Sequence, residues 1–237
     1  MVRRGKRYVD AAKQIDRAAS YAPAEAIRLA KESAKAKFNE TMELHIRTSA
    51  DPRQADQLVR GVVVLPHGLG KPVKILVFAT GEGARAAREA GADYVGDEDL
   101  AKQIEGGWLD FDVAVATPDM MNKIGRLGRI LGRRGLMPNP RAGTVVQPQD
   151  LPRVIREAKL GRVEYRMDRT AIMHMPIGKA GFSQDQLLEN FSLLVDTIAR
   201  ERPSGIKGQF IRSMYLTSTM GPSVKVNVEE ALSKKVE

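Results

Sequence analysis

The hydrophobic pattern of the sequence changes twice, and these changes constrain the fold more than any other feature. In residues 1–66 and 160–237, strand-like stretches alternate apolar and polar residues, which is typical of antiparallel sheets with one solvated face. In residues 67–159 the apolar stretches are nearly continuous and alternate with helical patterns, which is typical of βαβ units around a parallel sheet. The pattern therefore predicts a discontinuous two-layer α+β domain, with an α/β domain inserted into it.

Both ends of the inserted segment fall at residues that break regular structure. Residues 66–72 hold two prolines and two glycines without any periodicity, and Gly161 marks the second break. Two closely spaced chain crossings are a common place for hinge motion between domains. We therefore expect a hinge, formed by His67, Gly68, Lys159 and Gly161.

The net charge, the absence of cysteine and the spacing of the histidines limit the classes of function that this chain can have. The 237 residues carry a formal net charge of +9, which favours an anionic partner, nucleic acid before a membrane. There is no cysteine, which excludes disulfides and thiolate metal sites, and His45, His67 and His174 lack metal-ligand spacing. No apolar run approaches the roughly 18 residues that a membrane span needs. We expect a cytoplasmic protein with no metal, no cofactor and no membrane contact.

Residues 41–47 alternate cleanly between apolar and polar side chains, which predicts a strand with one buried face. Met42, Leu44 and Ile46 would point inward. His45 would point outward, so we expect a solvated histidine rather than a ligand.

A second alternating stretch near the C-terminus carries a row of hydroxyls. Residues 210–219 predict a strand whose second face includes Thr217 and Thr219, and Gly221 with Pro222 predicts a turn after it. Residues 202–228 contain no carboxylate, while their cations are Arg202, Lys207, Arg212 and Lys225. Such a surface suits contacts to the backbone of a polyanion. A hairpin at an ordinary sheet edge accounts for the same pattern equally well.

The inserted segment is polarised in charge. Residues 82–119 contain ten carboxylates and three cations, whereas residues 120–149 contain six cations and no carboxylate. Glycines interleave with the arginines of the basic half, so backbone and guanidinium groups can both approach phosphate. We favour polyanion binding there over a solvated basic loop, with Arg126, Arg129, Arg133, Arg134 and Arg141 as candidates.

One stretch points to a different class of function. Residues 81–86 follow an apolar strand and match the dinucleotide fingerprint G-x-G-x-x-A, with Gly81, Gly83 and Ala86 at its fixed positions. The alternative function is therefore a nucleotide-binding oxidoreductase that uses this loop. Against it, Glu82 would repel a pyrophosphate, and Asp97 comes too early to bind the ribose. We predict that the chain is not an enzyme, and a basic protein that binds RNA without specificity remains a third interpretation.

Several stretches together resemble a known family, over nearly the whole chain and in the expected order. They are Lys37-Phe-Asn-Glu-Thr41, Leu65-Pro-His-Gly-Leu-Gly-Lys71, Ala90-Gly-Ala-Asp-Tyr-Val95, residues 112–118, Leu127-Gly-Arg-Ile-Leu-Gly132, Gly135-Leu-Met-Pro-Asn-Pro140, Pro176-Ile-Gly-Lys179 and Ser218-Thr-Met-Gly-Pro222. The sequence resembles the bacterial form of the ribosomal protein L-one family, the protein of the mobile stalk of the large ribosomal subunit.

The resemblance implies a fold and a set of partners. It implies a discontinuous α+β domain, a Rossmann-like inserted domain and a hinge between them. The discontinuous domain would bind a helical junction of large-subunit rRNA within the 50S subunit in the cytoplasm. The protein would also assist release of deacylated tRNA from the exit site and repress translation of its own operon mRNA. Neither a homo-oligomer nor a membrane is expected.

Residue by residue, the resemblance also implies an RNA site. Hydroxyls would bond ribose and phosphate, Gly221 would let the backbone approach, and Phe38 and Met220 would pack on sugar or base. Asp168 would orient Arg166 or accept from a 2′-hydroxyl. The full set is Phe38, Thr41, Arg166, Asp168, Lys179, Ser213, Thr217, Thr219, Met220 and Gly221.

The basic run of the insert would be a weaker second RNA contact. It departs from the family at Gly132-Arg133-Arg134-Gly135, where Gly-Pro-Arg-Gly is expected. The loss of proline loosens this loop, and the extra arginine adds a cation.

Overall fold

A computed structural model describes residues 5–233, apart from the side chain of Arg141. The chain forms two compact units. One combines the residues up to Gly70 with those from Val163 onward, and the other is Lys71–Arg162. The first unit contains an antiparallel sheet and the second a separate parallel sheet, which confirms the predicted mixed α+β and α/β fold class.

Within residues 5–233 the chain forms nine α-helices and nine strands. The first part contains α1 (Lys6–Ala12), α2 (Pro23–Ser33), β1 (Thr41–Thr48) and β2 (Arg60–Val64). The second unit contains β3 (Ile75–Phe78), α3 (Gly81–Glu89), β4 (Tyr94–Gly96), α4 (Glu98–Glu105), β5 (Val113–Ala116), α5 (Pro118–Ile124), α6 (Gly128–Leu131) and α7 (Leu151–Gly161). The chain continues with β6 (Arg162–Arg166), β7 (Ile172–Lys179), α8 (Gln184–Arg200), β8 (Ile211–Ser218), β9 (Val224–Val226) and α9 (Val228–Ser233).

The main sheet of the first unit has the strand order β7-β1-β8-β9, and all of its pairs are antiparallel. Alternation along β1 buries Met42, Leu44 and Ile46 completely, as the sequence pattern predicts. These side chains pack in one core with residues of α2 and α8, so both helices lie on the same side of the sheet. The opposite face of the sheet carries the polar side chains of β1, β7 and β8.

Helix α8 shows how strongly local sequence can specify a helix. Ser183 and Gln186 form a capping box, in which each side chain accepts a hydrogen bond from the backbone of the other. The buried stripe of α8 faces the sheet and comprises Leu187, Asn190, Phe191, Leu194, Val195 and Ile198. Asn190 is the polar exception in this stripe, and it is fully buried.

Asn190 ties the chain segment before the second unit to α8. Its amide donates to the carbonyls of Gly68 (3.1 Å) and Ile177 (2.8 Å), and its oxygen accepts from the backbone of His67 (3.2 Å). His67 also contacts the carboxylate of Glu189 at 2.5 Å. His67 and Gly68, two of the four predicted hinge residues, are therefore anchored within the first unit.

The other two predicted hinge residues belong to the second unit. Lys159 donates from its ammonium group to the carbonyl of Gly91, and Gly161 is the buried last residue of α7. Each of the four residues is held inside its own unit. The hinge at these residues stays a prediction.

The second unit is a three-stranded parallel sheet in the order β4-β3-β5. All four residues of β3 are buried, because helices cover both faces of the sheet. On one face Leu76 and Phe78 pack with Ile104, and on the other Ile75 and Val77 pack with residues of α3 and α7. This double covering explains the nearly continuous apolar pattern of the strands. None of the helices in the described residues is long and apolar enough to cross a membrane.

Candidate RNA-binding surface

The predicted RNA-binding residues lie mainly on the polar face of the antiparallel sheet and in the loops next to it. Because β1 runs opposite to both neighbours, its first residues meet the last residues of β7 and β8. The register pairs Thr41 with Lys179 and Met42 with Ser218. One edge of the sheet therefore brings together residues 41, 179 and 217–221, which lie in three separate parts of the sequence.

Hydrogen bonds fix the side chains at this edge. The ammonium group of Lys179 donates to the hydroxyl of Thr41 at 2.7 Å. The hydroxyl of Thr219 accepts from the backbone N–H of Thr41 (2.9 Å) and lies 3.3 Å from its carbonyl, to which it donates. The proton of Thr219 is thus used internally. Since Thr41 Oγ1 accepts from Lys179, its own proton remains available to donate outward.

Glu40 is a buried carboxylate that sequence reasoning did not single out, although it lies inside one of the family motifs. It is 1% exposed. One oxygen accepts from the backbone N–H of Ala36 at 2.8 Å, and the other from that of Met220 at 2.9 Å. Glu40 therefore joins the segment before β1 to the turn after β8 and sets the position of Met220.

Two large apolar side chains flank the edge and remain in solvent. Phe38 is 55% exposed and Met220 58% exposed. Exposed apolar side chains beside hydroxyls and a cation can pack on the sugars or bases of a nucleic acid.

Gly221 has a structural role in the turn between β8 and β9. A Cβ atom at position 221 would lie 2.3 Å from the hydroxyl of Ser218 and 2.6 Å from that of Ser33. Both serines are buried, so the turn has no room for a larger residue. Gly221 is predicted to let the backbone approach RNA closely. The tight packing of the turn is a second reason for a glycine at this position.

The middle of the polar face holds a pair of histidines. The Nδ1 atoms of His45 and His174 are 2.8 Å apart, and His45 Nε2 lies 3.0 Å from the hydroxyl of Thr217. The side chain of His45 is only 23% exposed, so the prediction of a solvated histidine is wrong. Burial lowers the pKa of His45 below its ordinary value of 6.5, and the nearby His174 lowers it further, against a smaller opposite effect of Glu43.

The far end of the face lies about 20 Å from Thr41, because six residues of strand separate Thr41 from Arg47. Ser213 pairs with Arg47 there. The carboxylate of Asp168 caps the turn before β7, since it accepts from the backbone N–H groups of Thr170 (2.7 Å) and Ile172 (2.9 Å). Burial would raise the pKa of Asp168, but these hydrogen bonds together lower it below 3.8.

The predicted residues therefore form a band rather than a single pocket. Arg166 lies apart from the edge cluster, exposed at the end of β6 in a separate two-stranded sheet with β2. The edge cluster itself comprises Phe38, Thr41, Lys179, Thr217, Thr219, Met220 and Gly221.

In the second unit, the basic run folds into α5, α6 and short 3-10 turns that bury Leu127 and Leu131. Arg126 forms an ion pair with Glu105 of the acidic half at 3.0 Å. Three arginines of the run, Arg129, Arg133 and Arg134, are exposed and form no ion pair with any other described residue. The side chain of Arg141 lies outside the described part of the structure.

The glycines of this run are not required by internal packing. A Cβ atom at Gly125, Gly128 or Gly132 would meet no other atom within 4 Å. A glycine within a helix lowers the stability of the helix by about 1 kcal/mol relative to alanine. These glycines therefore reduce stability, and they leave the backbone uncovered by side chains. Such a surface can be approached closely from outside.

The fingerprint loop has an internal explanation. Gly81 begins α3 at a φ of 56°, and a Cβ atom at Gly83 would touch Ala79, Pro148 and Leu151 at 3.4–3.6 Å. Those are ordinary van der Waals distances, so packing would admit a side chain at position 83, whereas the positive φ of Gly81 favours glycine there. No cluster of three or more histidine, aspartate or glutamate side chains that could hold a metal occurs among residues 5–233.

Comparison with known proteins identifies the class. The model of the ribosomal protein L1p/L10e family matches residues 30–222, which is most of the chain. The chain belongs to this family of ribosomal proteins, the one that its motifs indicate.

Curated relatives agree over nearly the full length. The protein named "Large ribosomal subunit protein uL1" from Dehalococcoides mccartyi (strain ATCC BAA-2266 / KCTC 15142 / 195) is 57% identical over 228 residues, 96% of each chain. The protein of the same name from Thermomicrobium roseum is 58% identical over 229 residues, 96% of this chain and 95% of its own.

The buried carboxylate of Glu40 gives a first prediction. In Glu40→Gln one oxygen still accepts a hydrogen bond, but the amide NH2 opposes the second backbone N–H. We expect a loss of about 1–3 kcal/mol in the free energy of unfolding, because a buried donor is left unsatisfied. Urea unfolding measures this loss. Glu25→Gln, at an exposed ion pair on α2, is the control and should cost less than about 0.5 kcal/mol. Equal losses in the two variants would contradict the role of Glu40.

The lowered pKa of His45 predicts an acid-sensitive contribution to stability. The unfolded chain binds a proton at His45 near pH 6.5, whereas the folded protein binds it only at lower pH. Since the unfolded state then binds more protons, the stabilising contribution is complete above pH 6.5 and is lost as pH falls from there through the lower pKa of the folded state. Urea unfolding at pH 7.5 and 5.5 should show a steeper loss for wild type than for His45→Gln. Parallel pH profiles would exclude this contribution.

Proposed function

We propose that this chain is a structural constituent of the large ribosomal subunit that binds rRNA at the mobile stalk and catalyses no reaction. The relatives named "Large ribosomal subunit protein uL1" support this assignment, because they match over nearly the full length of both chains. It would work on the ribosome in the cytoplasm.

The observation that carries the proposal is the edge cluster on the polar face of the antiparallel sheet. Lys179 supplies a cation, Thr41 a hydroxyl whose proton is not used by its hydrogen bond with Lys179, and Phe38 and Met220 exposed apolar surface. A cation and a donor suit phosphate, while the apolar side chains suit sugars and bases. The long sheet face then offers RNA a continuous band about 20 Å in length.

A second contact is proposed for the basic run of residues 120–149. Arg129, Arg133 and Arg134 are the candidates, because their guanidinium groups are exposed and form no ion pair with other described side chains. Arg126 is a weaker candidate, since Glu105 already neutralises it.

Two further roles follow from the family resemblance. We propose that the protein assists release of deacylated tRNA from the exit site, with His67, Gly68, Lys159 and Gly161 flanking a hinge between the two units. We also propose that it represses its own operon mRNA, which would then present the same features to the edge cluster as rRNA does.

Substitution of Thr219 tests the edge cluster. Thr219→Val removes both hydrogen bonds to the backbone of Thr41, and Thr219→Ser keeps the hydroxyl that makes them. We expect Thr219→Val to weaken binding to a stalk-junction rRNA fragment about 30-fold, equivalent to about 2 kcal/mol, and Thr219→Ser less than about threefold. Equilibrium filter binding measures both.

A random duplex of equal length is the control, and its binding should change little in either variant. Equal losses on both RNAs would reject a specific site at this edge. The same assay with the leader of the operon mRNA tests the repressor role, which fails if that RNA binds no better than the random duplex.

The basic run can be tested with a matched pair of arginines. Arg129→Ala should reduce the slope of log affinity against log salt concentration by about one, because one phosphate contact is lost. Arg126→Ala should change the slope less, since Arg126 is paired with Glu105. Binding titrations from low to high salt give the slopes. An unchanged slope in Arg129→Ala would place the run outside the interface.

A further inference from the structure

A chain of polar contacts crosses the open sheet face from one strand to the next. Asp168, before β7, lies 3.5 Å from Nε2 of His174 on β7. Nδ1 of His174 is 2.8 Å from Nδ1 of His45 on β1, and Nε2 of His45 is 3.0 Å from the hydroxyl of Thr217 on β8. Four side chains from three strands and a turn thus form one continuous series.

The protons of this series have a definite order when both imidazoles are neutral. A carboxylate only accepts, so the proton of His174 lies on Nε2, toward Asp168, and its Nδ1 is an acceptor. His45 must then donate from Nδ1, which leaves its Nε2 as an acceptor. The hydroxyl proton of Thr217 therefore points at His45.

Among the described residues, Glu43 is the carboxylate that competes for the proton of His45. Its carboxylate lies 3.9 Å from His45 Nε2 and would favour a proton on that nitrogen. This distance is too long for a hydrogen bond, whereas the Thr217 hydroxyl is within hydrogen-bonding distance. The two shorter contacts of His45, to His174 and to Thr217, therefore determine which tautomer His45 adopts.

We propose that His45 and His174 make Thr217 a hydrogen-bond acceptor toward the RNA, which selects a ribose 2′-hydroxyl at this position. The inference rests on the proposed function and adds the chemical group that the site reads. With its proton directed to His45, Thr217 offers only lone pairs to a ligand. A phosphate diester has no proton to donate and a deoxyribose lacks the 2′-hydroxyl, so neither of these backbone groups satisfies Thr217.

At the edge of the sheet, the hydroxyl of Thr41 has the opposite hydrogen-bonding role. Thr41 accepts from Lys179 and keeps a proton for the outside, so it suits phosphate or ribose oxygens. Thr41 and Thr217 are therefore not equivalent, although sequence alone presents them as similar hydroxyls. His45 and His174 act as positioning residues, because they determine the orientation of the Thr217 hydroxyl.

The tautomers can be measured without any RNA. Long-range proton–nitrogen correlation spectra of the full-length protein at pH 7.5 report which imidazole nitrogen carries the proton, with His45→Gln and His174→Gln as assignment variants. We expect the proton on Nδ1 of His45 and on Nε2 of His174. A proton on Nε2 of His45 would overturn the proposal, since Thr217 would then be free to donate.

The consequence for RNA is measured with a stalk-junction rRNA fragment that carries single 2′-deoxy substitutions. We expect one position at which the deoxy sugar weakens wild-type binding about three- to tenfold. This penalty should vanish in Thr217→Val and in His45→Phe, and it should persist in His45→Gln, whose amide oxygen can accept in place of Nε2. Thr197→Val, which removes a hydroxyl bonded within α8, should leave the penalty unchanged.

The outcomes separate this inference from the proposed function. If wild type binds the stalk fragment no better than a random duplex, the proposed function fails, whatever the tautomers. If wild type binds specifically but no deoxy penalty depends on Thr217, the inference alone is overturned. Thermal midpoints of His45→Phe and His45→Gln identify any variant that fails to fold, and Thr217→Val then gives an independent result.

Discussion

The pairing of β1 with two strands from the other end of the chain is the constraint on which the first unit depends. Strand β1 lies between β7 and β8 and pairs antiparallel with both along nearly its full length. Its buried face supplies the centre of the core, and its polar face supplies the centre of the surface. A shift by one residue would exchange these faces, so burial of Met42, Leu44 and Ile46 also fixes which side chains form the polar face.

The same pairing explains why residues 37–41 and 217–221 lie next to each other. Glu40 holds Met220 by a buried hydrogen bond, and Thr219 holds the backbone of Thr41. These contacts use groups that could otherwise bond water, and they leave the proton of Thr41 and the side chains of Phe38 and Met220 for a partner. The surface is therefore preorganised by its own backbone contacts, which reduces the ordering cost of binding.

Local patterns predicted many elements of the fold. Alternation predicted the strand at 41–47, and the capping box of Ser183 and Gln186 predicted the start of α8, since both signals lie within a few residues. The same patterns did not predict the buried carboxylate of Glu40, the partners of Asn190 or the contact between His45 and His174. These contacts join residues that are not related by the periodicity of a single helix or strand.

By itself, the sequence determined the alternation of each strand, the change of pattern at the insertion, the basic charge and the family motifs, because these properties are local or additive. Only the tertiary structure decided that the Thr219 hydroxyl gives its proton to the protein, and that Arg126 is paired with Glu105. The hydrogen bonds of the hydroxyls and imidazoles depend on register between strands more than 100 residues apart, as between His45 and His174. A hydroxyl or an imidazole has two possible hydrogen-bonding roles, and its partner selects one.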